Sequence, residues 1–291
     1  MPGDETKKTG MIVPERPTVY CVIPVHNRLE ITKRCLSYLR KQDYPAVQIV
    51  IVDDGSTDGT GEFLAQCGLS HMTVLTGDGD LWWGGAMHMG IADVMKVARK
   101  DDYLLMLNDD VRVETTYVSA LVSDSVANAG AVIGAAQRDE VSGALLASGY
   151  TIDYWGMRIL PAQAPYPVEG VDALPGRGTL FPMRAVLNAG NINVNAFPHY
   201  LGDLEYSARI HEMGWDLIIS KTADIYTSPE SSDENIRRQG ITKEYFSFRS
   251  KNNLISRLWF FSMRGPWWLR FWALPRYVVV GSWRLFRRAG K

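Results

Sequence analysis

Val47-Gln48-Ile49-Val50-Ile51-Val52-Asp53-Asp54-Gly55-Ser56 decides the fold. A run of strand length, apolar at every position but Gln48, breaks abruptly into two carboxylates and two turn residues. A continuous apolar run of that length suits a parallel strand covered on both faces. The same punctuation recurs where Asn108-Asp109-Asp110 follows Tyr103-Leu104-Leu105-Met106-Leu107, and Gly202-Asp203-Leu204-Glu205 precedes a helical stretch. In an open α/β sheet, ligands bind in the crevice beyond the carboxyl ends of the strands. The three acidic groups therefore face one crevice and not a core. Carboxylates gathered there repel each other unless something positive sits among them, and a divalent cation carrying a phosphate-bearing substrate meets that need. The arrangement predicts a nucleotide-linked substrate and a metal.

Outward from this run, residues 19–25 are β-rich and end around Pro24 and Asn27, after which Ile31, Cys35 and Leu39 recur at a helical spacing. Asp58 is placed to cap a helix that begins near Gly59 and stops at Gly68. Residues 72–75 read as a strand, 86–98 as a helix with Met87, Ile91, Met95 and Ala98 on one face, and 103–107 as a further strand. Strands alternating with helices imply a right-handed, largely parallel βα arrangement. After Asp110 the pattern changes to a helix over 116–129, a strand over 131–136 and hairpin material over 144–152. Residues 161–175, with four prolines, read as a loop; 179–189 carry a strand and a short helix, and 204–213 a helix ended at Gly214.

A chain of 291 residues makes one large domain, or one domain with an appendage. Its apolar fraction of 46% and charged fraction of 22% exclude disordered and collagen-like classes. Cys21, Cys35 and Cys67 have neither C-x-x-C spacing nor an even count, so they read as reduced thiols and not as a disulfide frame or zinc site. Residues 1–16 are polar, carry scattered charge and lack an apolar signal core; they read as a flexible start, and a cytoplasmic active site is expected. The formal net charge of -1 hides an asymmetry, because Glu244 is the last acidic residue and only basic charges follow it.

Five motifs stand in a fixed order. They are Val19-Tyr20-Cys21-Val22-Ile23-Pro24-Val25-His26-Asn27-Arg28, Val52-Asp53-Asp54-Gly55-Ser56-Thr57-Asp58-Gly59-Thr60, Gly77-Asp78-Gly79-Asp80-Leu81-Trp82-Trp83-Gly84-Gly85-Ala86-Met87-His88-Met89-Gly90, Leu107-Asn108-Asp109-Asp110-Val111 and Phe197-Pro198-His199-Tyr200-Leu201-Gly202-Asp203-Leu204-Glu205-Tyr206-Ser207-Ala208-Arg209. Together they resemble the inverting glycosyltransferase family 2 with its GT-A fold, and an ordered set is far harder to meet by chance than one motif. The tryptophan and glycine segment resembles the branch that builds bacterial cell-surface polysaccharides, including rhamnosyltransferases. The resemblance implies an α/β fold with a single Rossmann-like, mixed and mostly parallel sheet flanked by helices. Residues 17–111 would be its nucleotide-binding half, 112–245 its acceptor half, and 246–291 a basic aromatic helical segment.

Sugar transfer from a nucleotide donor requires holding the base and ribose, neutralising the departing diphosphate and deprotonating the acceptor hydroxyl. Asp53 or Asp54 can accept a hydrogen bond from a base N–H or a ribose hydroxyl. By resemblance the second aspartate faces the pyrimidine, and Pro24, Val25 and His26, with Asn27 beside them, line the base. The same Asp-Asp-Gly-Ser is also the composition of a plain turn. Asn108-Asp109-Asp110 stands where the family carries two metal-binding aspartates one residue apart, and Asn108 departs from that pattern. An amide can bind ribose but cannot replace a carboxylate on Mg²⁺ or Mn²⁺, so Asp110 is the expected ligand, with Asn108 and Asp109 on the donor.

Asp203 resembles the family's catalytic base, while a helix cap is the other reading of the same carboxylate. Gly202 departs from the glutamate common before it, and Glu205 is the reserve base. Gly84 and Gly85 let backbone approach a donor, Trp83 offers it a ring, and Asp80, Trp82, Glu205 and Arg209 are candidates for sugar or acceptor contacts. His26, His88, His199 and His211 share no metal spacing. The late histidine that the family supplies to the metal is missing around Tyr226-Thr227-Ser228-Pro229-Glu230.

From Arg257 onward, Trp259, Phe260, Phe261, Trp267, Trp268, Phe271, Trp272, Tyr277, Trp283 and Phe286 stand among arginines. Arg264, Arg270, Arg276 and Arg284, with Pro266 and Pro275, interrupt every window of about 20 apolar residues that a spanning helix needs. Tryptophan with arginine and no acids suits an anionic lipid interface. Packing on the domain or on a second copy in a homo-oligomer is a rival reading, and single-stranded nucleic acid a weaker one, because such binders set aromatics on a β platform. The expectation is an enzyme moving a sugar from a UDP- or dTDP-linked donor to a lipid-linked glycan at the inner face of a bacterial membrane, as in O-antigen and lipopolysaccharide synthesis. A sugar nucleotidyltransferase is one alternative, although Pro24-Val25-His26-Asn27-Arg28 lacks a glycine-rich phosphate loop. A glycan-binding protein without turnover is another, favoured by Asn108 and opposed by Asp110 and Asp203.

Overall fold

The computed structural model describes residues 16–162, 170–227, 253–268, 271 and 275. Strand β1 (Val19–Val25) lies between β2 (Val47–Asp53) and β4 (Tyr103–Met106), parallel to both, and β3 (Met72–Thr76) adds parallel to β2. Beyond β4 the sheet turns mixed. β10 (Thr179–Pro182) runs antiparallel to β4 and to β6 (Val132–Asp139), β11 (Leu217–Thr227) is parallel to β6, and β5 (Val111–Val113) closes that edge antiparallel to β11. With β7 (Leu145–Ala147) on β6, this is a nine-stranded sheet of order β3-β2-β1-β4-β10-β6-β11-β5. It is the α/β, Rossmann-like, mixed sheet with helical flanks that the sequence predicts. Because β2 and β4 leave β1 in opposite directions, the crevice at their carboxyl ends opens beside β1.

Seven helices are present among the described residues: α1 (Leu29–Leu39), α2 (Thr60–Gln66), α3 (Trp82–Val97), α4 (Tyr117–Ala127), α5 (Met183–Ala189), α6 (Gly202–Glu212) and α7 (Leu254–Arg264). Strand alternation divides the core. Val19, Cys21, Ile23 and Val25 pack with Cys35 and Leu36 of α1, whereas Val22 faces Met87, Ile91 and Val94 of α3. Fully burying an aliphatic side chain such as Ile23 or Leu104 contributes roughly 1.5–3 kcal/mol. Cys21, Cys35 and Cys67 are free, and burial pushes the Cys21 and Cys35 thiols up, which leaves them inert.

Several boundaries differ from the sequence expectation for physical reasons. Helix α3 begins at Trp82 and not at residue 86, because Asp54 supplies its start from another turn: the carboxylate accepts from the N–H groups of Gly79 (2.9 Å), Leu81 (3.2 Å) and Trp82 (3.0 Å). Helix α6 begins at Gly202 because Leu201 turns the chain with φ 70°. The stretch 144–152 is not one hairpin, since Gly149 (φ 97°) separates β7 from β8 (Tyr150–Asp153), which pairs with β9 (Arg158–Pro161) in its own ribbon. Strand β11 escaped reading because Lys221, Thr222 and Asp224 interrupt its apolar pattern. Asp58 does accept from the Thr60 N–H (3.1 Å) at the start of α2, and also from the Leu29 N–H (2.9 Å) at the start of α1.

The first helix of the basic aromatic segment is part of the fold. Asn253 caps α7 by accepting from the Ser256 N–H at 2.8 Å, and Phe260 and Phe261 are fully buried with Met157, Phe197, Leu201 and Leu204. All but Arg16 of the expected flexible start (residues 1–16), part of the proline loop (163–169), Ser228-Pro229-Glu230 and nearly all of the tail beyond Trp268 lie outside the described residues. Among the described residues no helix is long and apolar enough to cross a membrane.

Candidate active site

A cavity of about 890 Å³ opens beyond the carboxyl ends of β1, β2 and β4. Pro24, Val25 and His26 line one side of it. The His26 Nδ1 faces the Asp54 carbonyl oxygen, and the Asn27 amide donates to Nε2 at 3.0 Å, which sets the tautomer with the proton on Nδ1. Asn27 itself ties the β1 turn to the β2 turn: its N–H donates to Ser56 Oγ (2.9 Å) and its Oδ1 accepts from the Thr57 N–H (2.7 Å). Asp53 makes the turn bond that its neighbours suggest, accepting from the Ser56 N–H at 3.0 Å.

At the end of β4 two carboxylates meet two guanidinium groups. Arg28 lies 3.0 Å from Asp109 and 3.6 Å from Asp110, and Arg177 lies 3.4 Å from Asp110 and 3.3 Å from Thr227 Oγ1. Burial pushes the Asp109 carboxyl up to about 6, against the pull of Arg28 and with a further rise from Asp110. One oxygen of each carboxylate, Oδ2 of Asp109 and Oδ1 of Asp110, is buried and receives no hydrogen bond. Two such oxygens suit Mg²⁺ or Mn²⁺, which bind few protein carboxylates and complete their shell with phosphate oxygens and waters. Among the described residues no cluster of three His, Cys, Asp or Glu capable of holding a metal exists, so from these residues a cation would draw on this pair. Asn108 is oriented by Trp83, whose Nε1 donates to its Oδ1 at 2.9 Å.

Asp203 borders the same cavity as the second residue of α6. It is not the residue at which the helix is capped. Its Oδ2 accepts from the Gly176 N–H (2.8 Å) across the site, and Oδ1 from the Leu204 N–H (2.9 Å). Burial raises its carboxyl from the ordinary aspartate value against the pull of those N–H groups and of Arg177, which makes it a stronger proton acceptor than an exposed aspartate. Gly176 cannot carry a side chain: a Cβ there would lie 2.6 Å from the Trp83 ring and 3.0 Å from the Asp203 Cβ. This glycine packs the tryptophan that orients Asn108 against the residue offered as base.

The Trp-Trp-Gly-Gly segment has a mixed role. A Cβ on Gly84 would sit 2.5 Å from the Phe197 carbonyl oxygen and 2.6 Å from that of Pro198, to which the Gly84 N–H donates at 2.9 Å. This close approach brings His199 edge-on to Trp82, with ring centroids 5.6 Å apart. Trp82 holds φ 58°, a strained value for a bulky residue and one found mainly where a site demands it.

Of the sequence candidates, Pro24, Val25, His26, Asp54, Trp82, Trp83, Asn108, Asp109, Asp110 and Asp203 line one cavity; Asn27, Asp53, Asp80, Gly84, Gly85, Glu205 and Arg209 do not. Glu205 is 1% exposed and paired with Arg209 (3.2 Å) and with Arg264 of α7 (3.5 Å). Sequence reading missed Arg28, Tyr150, Arg177, His199 and Arg257 as lining residues. Arg28 had a local signal, since it follows His26-Asn27 directly; Arg177 and Arg257 had none, because each reaches the cavity from a distant part of the chain.

The sequence model of Glycosyl transferase family 2 matches residues 20–181, more than half of the chain. The chain belongs to glycosyl transferase family 2. The matched stretch of this family 2 domain runs from the second residue of β1 to the third of β10 and holds every carboxylate of the cavity except Asp203. The chain is 27% identical over 112 residues to Glycosyltransferase GlyA of Streptococcus pneumoniae, covering 38% of this chain and 15% of that protein. It is 29% identical over 104 residues to Glycosyltransferase GlyG of the same organism, covering 34% and 32%. Among solved structures, S. aureus TarS 1-349 in complex with UDP-GlcNAc is similar over 74% of this chain and 60% of that one, with TM-score 0.57 and 13% identity. The mannosyltransferase PcManGT from Pyrobaculum calidifontis, in complex with GDP-Man and Mn²⁺, is similar over 93% and 84%, with TM-score 0.57 and 14% identity. These likenesses establish the GT-A fold of this family 2 chain.

Proposed function

We propose that the chain transfers a sugar from a nucleoside-diphosphate donor to an acceptor hydroxyl, inverting the anomeric centre in one displacement. The observation that carries this reading is the placement of Asp203 and the Asp109–Asp110 pair on one cavity at the strand ends of a family 2 domain. Pro24, Val25 and His26 hold the base, and Asn108 the ribose. Asp110, with Asp109, holds Mg²⁺ or Mn²⁺, which when bound neutralises charge on the departing diphosphate. Arg28 and Arg177 stand against these carboxylates and offset part of their mutual repulsion. Asp203 takes the acceptor proton on its carboxylate; its raised basicity and fixed backbone bonds favour that role. No protein nucleophile is required.

The finer reading has a UDP- or dTDP-linked donor, a lipid-linked glycan as acceptor, and a role in bacterial surface polysaccharide synthesis at the inner face of the cell membrane. Support comes from the family, from TarS with UDP-GlcNAc, and from exposed rings at Trp259 and Trp267 in and just after α7 and at Trp155 in the β8–β9 ribbon. The test is a panel of nucleotide sugars in a thermal-shift assay with and without Mg²⁺ or Mn²⁺. A matched donor at about 100 times its Kd stabilises by roughly 2.7 kcal/mol. Asp110→Ala abolishes the metal-dependent part of that shift. If no nucleotide sugar stabilises the chain, or Asp110→Ala responds to metal as the wild type does, the assignment is wrong.

A further inference from the structure

Most charged groups on the cavity are engaged by others: Arg28 and Arg177 face Asp109 and Asp110, Asp54 holds the start of α3, and Asp203 accepts from Gly176 and Leu204. Arg257 differs. It comes from the first turn of α7 and pairs with no carboxylate among the described residues. Its guanidinium donates to the Met157 carbonyl at 3.1 Å and lies 5.9 Å from the Phe261 ring centroid. Two clamps fix it there: Phe260 and Phe261 fill the cluster that holds Leu201 and Leu204, and Arg264 closes on Glu205 and Glu212 at the far end of α7. A cation held at a cavity wall without a counter-charge among the described residues is a site for an anion, and a guanidinium matches phosphate geometry through paired N–H donors.

The wall that Arg257 shares with Ile159 and Leu204 belongs to the β8–β9 ribbon and α6, not to the nucleotide half. The same ribbon and α7 expose large rings. Trp155 is 64% and Trp259 51% exposed, and Trp155 lies 4.6 Å from Trp268, centroid to centroid. We infer that Arg257 binds a phosphate group of the acceptor, whose apolar chain runs onto the tryptophans of α7 and the ribbon. This rests on the reading of the opposite end as the donor site. Helix α7 then completes the acceptor half of the cavity and is more than an attachment.

Isothermal titration of the full chain, saturated with UDP and Mg²⁺, with geranyl phosphate tests this, with geraniol as the uncharged control. Wild type binds geranyl phosphate more tightly than geraniol. Arg257→Ala loses about ten- to a hundred-fold in geranyl phosphate affinity, as expected for removal of a charged hydrogen-bond donor, and Arg257→Lys recovers part of it. Arg257→Gln keeps the stem against Phe261 and repeats the measurement if the alanine variant fails to fold. Unchanged geranyl phosphate affinity in Arg257→Gln, or equal wild-type affinity for geraniol, overturns the inference. A loss of UDP affinity in the same variant also overturns it, because Arg257 would then serve the donor diphosphate. The titration repeated without UDP reads Arg257 on its own, so a wild type that ignores UDP counts against the donor reading alone.

Discussion

Glu205→Gln separates a carboxylate that holds the fold from one that does chemistry. Glu205 is 1% exposed, sits two residues after Asp203 on α6, and faces Arg209 at 3.2 Å and Arg264 at 3.5 Å. Removing one partner of a buried ion pair leaves charge uncompensated and costs about 3–5 kcal/mol. Here Arg209 keeps the carbonyl oxygens of Ala189 and Asn191, and Arg264 keeps Glu212, which places the cost near the lower figure, ~3 kcal/mol. At about 2–4 °C per kcal/mol for a sizeable domain, the Tm falls by about 6–12 °C. Calorimetry at neutral pH on wild type, Glu205→Gln, Arg264→Gln and the double variant gives the cycle, with an expected coupling of about 0.5–3 kcal/mol. Sugar transfer measured well below the lowest Tm stays within a few-fold of wild type. An unchanged Tm with collapsed turnover would make Glu205 the base and refute the reasoning.

Asp203→Asn has the opposite signature: kcat falls by about 10²- to 10⁴-fold with donor affinity nearly unchanged. Because burial raises the Asp203 carboxyl, its ionised, active form is lost as pH falls through a value above the usual ~4; the acid limb of kcat/KM lies above that pH, and a limb below it would speak against a buried base. Gly84→Ala sets a methyl against the Phe197 and Pro198 carbonyl oxygens, and such overpacking costs about 1–3 kcal/mol or more; unchanged melting would show that residues 197–199 do not close on α3 as described. A chain ending at Trp268 retains α7 and its buried Phe260 and Phe261, so it folds and binds donor but leaves anionic vesicles, whereas the intact chain binds them less tightly as salt rises; equal vesicle binding by both rules out the tail as the anchor.

The sequence by itself determined the sheet half that carries the nucleotide end, because the signals there are local. Apolar runs of strand length place β1, β2 and β4, those of β2 and β4 ending in carboxylates, and what stands at their carboxyl ends shares one crevice; Pro24, Asp54, Asn108 and Asp110 arrive there, and Asp203 joins them from the start of α6. The order of the five motifs was equally legible, and it carried the family. What packing alone decided is which way side chains point and which distant groups they meet. Asp54 starts a helix more than twenty residues downstream, Asp203 accepts from Gly176 across the cavity, and Glu205, two residues on, turns into the core between two arginines. Arg177 and Arg257 reach the cavity from segments whose sequence carries no motif, one by the turn before β10 and the other through the docking of α7. Periodicity and turn chemistry act over a few residues, whereas ion pairs, close glycine approaches and helix docking depend on contacts that exist only once the chain has closed on itself.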